Sequence, residues 1–258
     1  MLADLTAGAV EDSRTREAGR PLVEVERAAL AAAPPLDALA ALAPADVVRI
    51  IAEVKRASPS RGDLADIPDP AAQARLYETG GASAISVLTE GRRFKGSLAD
   101  LEAVKGAVSL PVLRKDFIAT TYQVFEARAA GADLVLLIVA ALDQRTLETL
   151  HALILELGMT PLVEAHSAEE LDRAAAVGAR LIGINARDLR TFELDRDLFG
   201  RLSERFPSDA IKVAESAVLS PEDVRHYRNA GADAVLVGEA LVTSDPVATL
   251  RRFLEVAA

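Results

Sequence analysis

The sequence predicts an α/β fold, a (β/α)8 TIM barrel with an N-terminal helical extension, mainly because one pattern recurs along it. A helix-like segment, a Gly-Ala pair and a short β-branched or Leu-rich run follow one another at 78–88, 126–138, 173–185 and 228–238. The glycine is typical of the left-handed residue that ends a helix, and the apolar run is typical of a strand buried on both faces. Each copy therefore contains the end of a helix and the strand that follows it.

Four further apolar runs lie between or before these copies, at 49–55, 110–115, 160–165 and 210–216. Together the runs predict eight strands, each followed by enough residues for a helix. Eight such units in roughly 210 residues match the size of a (β/α)8 barrel. We therefore treat residues 1–258 as a single domain in which the barrel occupies residues 46–258.

Residues 1–45 form the predicted extension. Within it, the segment 21–34 predicts an amphipathic helix that begins at Pro21 and ends before the Pro34-Pro35 pair. The pattern leaves two placements open, because the extension could close the bottom of the barrel or fold over its catalytic end.

Composition excludes several classes of site and partner. The chain has no Cys, which excludes disulfides, zinc–thiolate sites, iron–sulfur clusters and a cysteine nucleophile, and which fits a reducing cytoplasm. The N-terminus lacks the apolar core of a signal peptide, and the longest apolar run, 134–142, is too short to cross a bilayer. A net charge of −10 argues against nucleic acid as a partner. We expect a cytoplasmic protein that binds neither nucleic acid nor membranes.

Polar residues follow most predicted strands at the end where barrel enzymes place their catalytic groups. A strand buried on both faces normally carries unbroken hydrophobic residues, so charges at one end of six strands indicate a functional rim. On strand 1, Glu53 and Lys55 are two residues apart and therefore point to the same side of the sheet. In strand order the rim groups are Glu53 and Lys55, Thr89 and Glu90, Lys115 and Asp116, Glu164, Asn185 with Arg187, and Glu215 with Ser216.

The segments after strands 7 and 8 predict a phosphate site. After strand 7, Ser220 is placed as a helix N-cap and Pro221 as the first helical residue. After strand 8, a short segment begins at Gly238 and would point free backbone N–H groups at the rim. Barrels commonly bind phosphate at this place. Lys55, on the neighbouring strand 1, would add a positive charge.

Several motifs resemble those of the indole-3-glycerol phosphate synthase family. The most specific are EVKRASPSRG at 53–62 and IGINARDL at 182–189, and further matches are SVLTEGRRFKGS (86–97), PVLRKDF (111–117), LLIVAAL (136–142), PLVEAHS (161–167), VAES (213–216) and VLVGEALV (235–242). The resemblance implies a carboxy-lyase of tryptophan biosynthesis. Its substrate would be 1-(2-carboxyphenylamino)-1-deoxy-D-ribulose 5-phosphate, which closes to indole-3-glycerol phosphate with loss of CO₂ and water. It implies no metal and no organic cofactor. We expect a monomer that could associate with other tryptophan-pathway enzymes.

The chemistry of ring closure and the resemblance together give the catalytic residues their expected roles. Attack on the carbonyl carbon and loss of the hydroxyl need an acid, and rearomatisation needs a base. Lys115 is expected to be the general acid, held by a charge-assisted hydrogen bond to Glu53, while Glu164 assists dehydration or takes the last proton. Lys55 would pair with the substrate phosphate or carboxylate, or share the acid role. Asn185 would orient a substrate hydroxyl or a catalytic side chain.

The remaining expected contacts form two groups. Substrate and phosphate binding is expected from Ser58, Arg187, Glu215, Ser216, Ala217, Gly238 and Glu239, among which Arg187 would brace the rim. An apolar slot for the anthranilate ring is expected from Pro59, Phe94, Phe117, Leu136 and Leu189. Leu136 would form its floor, which agrees with the lack of a charge at the end of strand 4.

Two features depart from the family pattern. Ala217 stands where the family usually has Gly after the strand-7 Ser, so it must keep a negative φ or accept strain beside the phosphate. The chain has no Trp, so an aromatic lid residue found near the N-terminus of some relatives has no Trp counterpart. His166, which follows strand 5, could face the rim, but we expect a solvated loop residue.

Two alternatives stay open. Another phosphosugar barrel, such as phosphoribosylanthranilate isomerase or a Schiff-base aldolase, would share the rim, and an aldolase would use Lys115 as a desolvated nucleophile. A non-catalytic phosphosugar-binding barrel is favoured only by Ala217. The full set of Glu53, Lys115 and Glu164 argues against it, since a pure binder needs neither an acid nor a base.

Overall fold

The computed structural model describes residues 1–59, 61–188 and 193–256, and it contains a closed barrel of eight parallel strands. The strands are β1 Arg49–Val54, β2 Ala84–Leu88, β3 Val112–Lys115, β4 Leu134–Ile138, β5 Thr160–Ala165, β6 Leu181–Asn185, β7 Ile211–Glu215 and β8 Ala234–Val237. Each strand pairs with its neighbours in chain order, and β1 closes the barrel by pairing with both β2 and β8. The predicted fold class is confirmed.

Helices precede the barrel and alternate with its strands. They are α1 Leu2–Gly19, α2 Leu22–Ala31, α3 Ala38–Leu42, α4 Pro70–Gly80, α5 Leu98–Lys105, α6 Thr121–Ala129, α7 Gln144–Glu156, α8 Ala168–Ala176, α9 Leu198–Leu202, α10 Pro221–Asn229, α11 Glu239–Val242 and α12 Pro246–Leu254. A small antiparallel ribbon, Ala57–Ser58 with Gly62–Asp63, follows β1. None of the helices in the described residues is long and apolar enough to cross a membrane.

Local signals in the sequence explain where several helices begin and end. The glycines of the four Gly-Ala pairs all have positive φ, namely Gly81, Gly131, Gly178 and Gly231. A side chain would be strained in that conformation, so glycine ends these helices at low cost. At α10 the Ser220 hydroxyl accepts a hydrogen bond from the Asp223 N–H, and Pro221 is the first helical residue. The predicted glycine ends of the helices and the predicted start of a helix at Ser220 and Pro221 are both confirmed.

Strand side chains alternate between two hydrophobic layers. On β1, Ile50 and Ala52 pack between the barrel and its helices, whereas Ile51 points into the barrel. On β3 the same alternation places Leu113 inside and Val112 outside. The inward positions are apolar in the lower part of the barrel and polar at the carboxyl ends of most strands. The site therefore lies at the carboxyl end of the barrel.

The N-terminal extension reaches both ends of the barrel. Ala38 and Leu42 of α3 are fully buried and belong to the same cluster as the lower barrel interior, which closes the bottom. Leu5 of α1 lines the cavity at the opposite, catalytic end. The two placements left open by the sequence are thus taken by different helices. The predicted helix at 21–34 is observed as α2, which packs along α6.

Candidate active site

A cavity at the carboxyl end of the barrel contains the predicted site residues. Its walls include Glu53, Lys55, Ser58, Pro59, Phe94, Lys115, Phe117, Leu136, Glu164, Asn185, Arg187, Glu215, Ser216, Ala217, Gly238 and Glu239. Leu189, predicted for the anthranilate slot, lies outside the described residues. The structure therefore brings every described member of the predicted set to one cavity, although it changes several of the expected pairings.

Glu53 and Lys55 form an ion pair inside the cavity. The Lys55 ammonium nitrogen, Nζ, lies 2.7 Å from Glu53 Oε1, and Glu53 is almost fully buried. Gly238, at the end of β8, leaves the room that this pair occupies. A Cβ at position 238 would lie 2.6 Å from Glu53 Oε1 and 2.8 Å from Lys55 Nζ. The prediction that these two side chains share a face is confirmed.

The expected hydrogen bond between Glu53 and Lys115 is wrong. Among the described residues, the ion-pair partners of Lys115 Nζ are Glu215 Oε2 at 2.5 Å and Glu164 Oε2 at 3.6 Å. The carboxylates of Glu215 on β7 and Glu164 on β5 meet the β3 ammonium, whereas the β1 carboxylate pairs with Lys55. Glu215, expected with the substrate- and phosphate-binding residues, lines the same cavity and has a buried carboxylate that accepts a hydrogen bond from Lys115.

A hydrogen-bond chain runs from Glu164 towards β7. The Asn185 amide donates to Glu164 Oε1 at 3.3 Å, and the Ser216 hydroxyl donates to Asn185 Oδ1 at 2.8 Å. The Arg187 backbone N–H donates to the same amide oxygen at 3.0 Å. Asn185 thereby links the strand-5 carboxylate to the loop that follows β7. Of the two expected roles for Asn185, this geometry supports orientation of a catalytic side chain.

Electrostatics sets the charge states in this cluster. Burial favours the neutral amine, but the carboxylates of Glu215, Glu164 and Glu53 outweigh it and raise the pKa of Lys115. Burial likewise opposes ionisation of Glu164, yet Lys115 and His166 overcome it and lower the pKa of Glu164. At Glu215 burial prevails, and the pKa rises to about 8. The cluster thus holds a charged lysine, one ionised carboxylate and one carboxyl that retains its proton more readily.

His166 contradicts the expectation of a solvated loop residue. Its side chain is only 11% exposed, and Nε2 lies 3.3 Å from Glu164 Oε1. On the other side of the ring, Nδ1 lies 3.2 Å from Glu170 Oε2. The residue directly after a strand can turn back towards the barrel mouth when the next helix supplies a partner, as α8 does here through Glu170.

Two charged rim residues, Glu90 and Asp116, hold loops in place through hydrogen bonds to their carboxylates. The Glu90 carboxylate accepts hydrogen bonds from three consecutive backbone N–H groups, those of Arg92, Arg93 and Phe94. The Asp116 carboxylate accepts from the Thr89 hydroxyl and from the Phe117 backbone N–H. These bonds fix the loops that carry Phe94 and Phe117 into the cavity.

An apolar slot lies beside the charged cluster. The rings of Phe94 and Phe117 stand 6.2 Å apart between centroids in a tilted arrangement. Leu136 contributes from β4, and Leu5 of α1 adds a wall from the extension. Leu5 was not predicted as a site residue. The buried residues of α1 are Leu2, Gly8, Ala9 and Ser13. Three of these four are small, so the sequence lacks the apolar stripe from which a packed amphipathic helix is usually predicted.

The loop after β7 is strained at the residue where the sequence departs from the family pattern. Ala217 has a φ of 54° and the preceding Ser216 a φ of 70°, both in the left-handed region. Two side-chain hydrogen bonds hold this conformation, from the Ser216 hydroxyl to Asn185 and from the Tyr227 hydroxyl to the Ser216 carbonyl. Of the two possibilities for Ala217, the chain accepts strain. At the same mouth, Arg61 Nη2 pairs with Glu239 Oε1 at 2.9 Å.

Comparison with known proteins identifies the family. Residues 2–253 match the family model described as indole-3-glycerol phosphate synthase. The chain is 77% identical over 253 residues to the indole-3-glycerol phosphate synthase of Leifsonia xyli subsp. xyli, covering 98% of this chain and 97% of the relative. It is 58% identical over 243 residues to the enzyme of the same name from Beutenbergia cavernae, covering 94% and 90% of the two chains.

Solved structures share the fold at low identity. The N-acetylmannosamine-6-phosphate 2-epimerase from Clostridium perfringens matches with a TM-score of 0.59 and 17% identity, over 77% of this chain and 90% of that one. Thiamine phosphate pyrophosphorylase from Pyrococcus furiosus matches with a TM-score of 0.61 and 14% identity, over 82% and 95%. These likenesses support the barrel alone. The family match over nearly the whole chain, together with the rim that bears its motifs, shows that the chain belongs to the indole-3-glycerol phosphate synthase family.

Proposed function

We propose that Lys115 is the general acid and Glu164 the general base of the indole-3-glycerol phosphate synthase reaction in this barrel. The reaction closes the pyrrole ring of the carboxyphenylamino ribulose phosphate with loss of CO₂ and water. The observation that carries the proposal is the cluster itself, in which the Lys115 ammonium lies within ion-pair distance of both Glu164 and Glu215 in the cavity. An acid and a base are thereby held beside a single ligand space, as the sequence of proton transfers requires.

Lys115 is suited to donate a proton. Its pKa is raised by three carboxylates, so the amine is charged before the substrate binds. Glu215 can adjust its acidity, because a proton taken up by that carboxyl removes one of the negative charges that stabilise the ammonium. The substrate carbonyl oxygen, once placed near Nζ, would then receive the proton as the ring carbon attacks. After it has regained a proton from solvent, the same ammonium would protonate the departing hydroxyl.

Glu164 is suited to take the proton that restores aromaticity. Its pKa is lowered, so the carboxylate is ionised at neutral pH. The Asn185 amide holds Oε1, which leaves Oε2 turned towards Lys115 and the ligand space. A proton removed from the ring carbon would therefore be delivered to an oxygen adjacent to the acid that must be reprotonated.

Substrate placement follows from the two ends of the cavity. The ring would occupy the slot of Phe94, Phe117 and Leu136. The phosphate would lie near the loops after β7 and β8, where Lys55 supplies positive charge across the gap left by Gly238. Glu53 would orient Lys55, in place of the hydrogen bond to Lys115 expected from the sequence.

Replacing Lys115 by Met tests the acid directly. We expect kcat to fall by about 100- to 10,000-fold while the affinity for substrate, measured by equilibrium binding, is largely retained. Product formation can be followed by the fluorescence of the new indole, because the chain contains no Trp. Lys95, which pairs with Asp63 on the exposed rim, provides the matched control as Lys95→Met. A Lys115→Met enzyme that keeps kcat within about tenfold would show that another group is the acid.

Two rival functions give different results in the same preparation. An aldolase would need Lys115 as a neutral nucleophile, whereas the surrounding carboxylates keep it charged. Borohydride added with substrate should therefore leave Lys115 unmodified, and a covalent adduct there would refute the acid assignment. A pure phosphosugar binder would bind the substrate without releasing CO₂.

The chain is further proposed to work as a monomer in the cytoplasm, with the possibility of association with other tryptophan-pathway enzymes. The lack of Cys supports a reducing compartment. Light scattering coupled to size-exclusion chromatography would test the monomer, since a dimer would elute with twice the chain mass.

A further inference from the structure

His166 joins the catalytic carboxylate to a neighbouring acidic residue outside the substrate cavity. Its Nε2 lies 3.3 Å from Glu164 Oε1, and its Nδ1 lies 3.2 Å from Glu170 Oε2. The backbone N–H of His166 donates to the same Glu170 oxygen at 2.7 Å, which fixes the residue from both its ring and its main chain. The imidazole therefore lies between two carboxylates: among the described residues Nδ1 is in hydrogen-bonding geometry with Glu170, whereas Nε2 makes an ion-pair contact with Glu164 without a hydrogen bond.

A second cavity lies on the far side of this imidazole. It is lined by Leu2, Ala140, His166, Ser167, Glu169, Glu170, Arg173 and Asp188. Among the described residues, none lines both this cavity and the substrate cavity. His166 is the contact between them, because its ring faces the second cavity and its Nε2 meets a carboxylate that lines the first.

The contacts of Glu164 and Glu215 are unequal, although both carboxylates are buried near Lys115. Glu164 lies between two cationic partners, with Lys115 at Oε2 and His166 at Oε1. Within the part of the chain that the structure describes, Glu215 has its ion pair with Lys115 alone, and its Oε1 is buried without a hydrogen-bond partner. In a buried cluster, negative charge settles on the carboxylate with more positive neighbours, and a proton settles on the other.

We propose that His166 is a positioning residue whose positive charge keeps Glu164 ionised, and so makes Glu164 rather than Glu215 the base of the reaction. The proposal rests on the role proposed for Glu164 above. Without the imidazole, Lys115 would be the shared cation of both carboxylates, and the proton would be distributed between them. The fraction of enzyme with an ionised Glu164 would then fall at the acid end of the working pH range.

The groups around His166 keep the imidazole charged. Those that face it or share its cavity are Glu164 on β5, Glu169, Glu170 and Arg173 on α8, Asp188 after β6 and, beyond Glu164, Lys115 on β3 and Glu215 on β7. Burial favours the neutral ring, but Glu164 and Glu170 overcome it and raise the pKa of His166 to about 10. The imidazolium is thus present throughout the neutral range.

The pH dependence of kcat/KM in His166→Ala and His166→Asn tests the proposal. We expect the acid limb of the profile to move up by about one pH unit or more, so that activity falls on the acid side of the profile and recovers as the pH rises above the shifted limb. Added imidazole should restore the acid limb of His166→Ala, because the second cavity borders the vacated space. His226, which lies on α10 with a side chain that is 36% exposed, provides the control as His226→Ala.

The outcomes separate positioning from packing. Equal loss of activity at every pH, with no effect of imidazole, would mean that the ring only fills space and would overturn the proposal. If His166→Ala fails to fold, His166→Asn still must show the shifted limb. Glu164→Gln distinguishes a wrong base from a wrong role for His166. If Glu164→Gln keeps kcat within about tenfold, the proposed base is wrong. If it is inactive while both His166 variants keep the wild-type pH profile, only the role of His166 is refuted.

Discussion

Ala217→Gly should stabilise the protein, because residue 217 has the left-handed backbone conformation that glycine adopts without strain. Its φ is 54°, and the residue before it also has a positive φ. A residue with a Cβ has its side chain too close to the following carbonyl in this conformation. Removing the Cβ relieves that contact and leaves the hydrogen bonds that hold the loop in place.

The expected gain follows from two opposing contributions. An L-residue in the left-handed region costs about 1–2 kcal/mol, which glycine does not incur. Glycine also makes the unfolded chain more flexible, which lowers the free energy of unfolding by about 0.4–1 kcal/mol. The net increase in the free energy of unfolding is therefore about 0–1.6 kcal/mol, centred near 0.8 kcal/mol. For a chain of this size, the central value corresponds to a rise in Tm of about 1–4 °C.

Thermal unfolding followed by circular dichroism or calorimetry measures this shift. The same substitution at Ala103, an exposed residue within α5, should act in the opposite direction. Glycine inside a regular helix costs about 1 kcal/mol relative to Ala, so Ala103→Gly should lower Tm. A fall in Tm for Ala217→Gly like that of the control would mean that the loop has no strain to relieve.

Three further outcomes follow from contacts in and around the site. Gly238→Ala should raise KM, because the new Cβ would displace the ion pair of the β1 carboxylate and ammonium, whereas Gly19→Ala meets nothing within 4 Å and should leave the kinetics unchanged. Equal KM values in steady-state assays would contradict this. Arg16→Gln removes the two hydrogen bonds, of 2.6 and 2.8 Å, that tie α1 to a buried carboxylate of α6. It should destabilise by about 1–3 kcal/mol in urea unfolding and raise KM with kcat nearly unchanged, unlike the exposed Arg14→Gln. Because the folded pKa of His166 is raised from 6.5 to about 10, its stabilising contribution is complete below pH 6.5 and lost as pH rises through about 10. The free energy of unfolding should therefore fall more steeply over that range in the wild type than in His166→Asn, and parallel curves would argue against a charged imidazole.

Much of the site could be predicted because strand geometry restricts where a residue can point. In a buried parallel strand, side chains alternate strictly, so the two-residue spacing of Glu53 and Lys55 places both on one face. The carboxyl ends of parallel strands meet at one rim, so Lys115 and Glu164 had to approach the same cavity once the barrel closed. The motifs, their spacing and the repeating pattern that predicts the fold class can all be recognised from residues close together in the sequence.

The pairing of these groups could not be predicted from short stretches of sequence. The partner of Lys115 depends on distances across the barrel, and these are set by strand stagger and side-chain rotamers, neither of which appears in the sequence. Hence Glu215, expected with the substrate- and phosphate-binding residues, binds Lys115, while Glu53 binds Lys55. His166 is similar, because α8 places Glu170 against one side of its ring while the other side lies 3.3 Å from Glu164, so that a residue expected in a solvated loop becomes buried beside the proposed base.

The sequence by itself determined the barrel, its eight strands and the set of residues at its mouth, since these follow from the apolar runs, the Gly-Ala helix ends and the alternation of strands. Tertiary structure alone decided the ion pairs, the strain at Ala217 and the position of α1. Apart from Leu2, the first helix buries small residues, so its docking depends on the shape of the surface that it meets and on ion pairs with Glu126 and Arg92. Shape complementarity and cross-barrel electrostatics exist only after the chain has closed on itself.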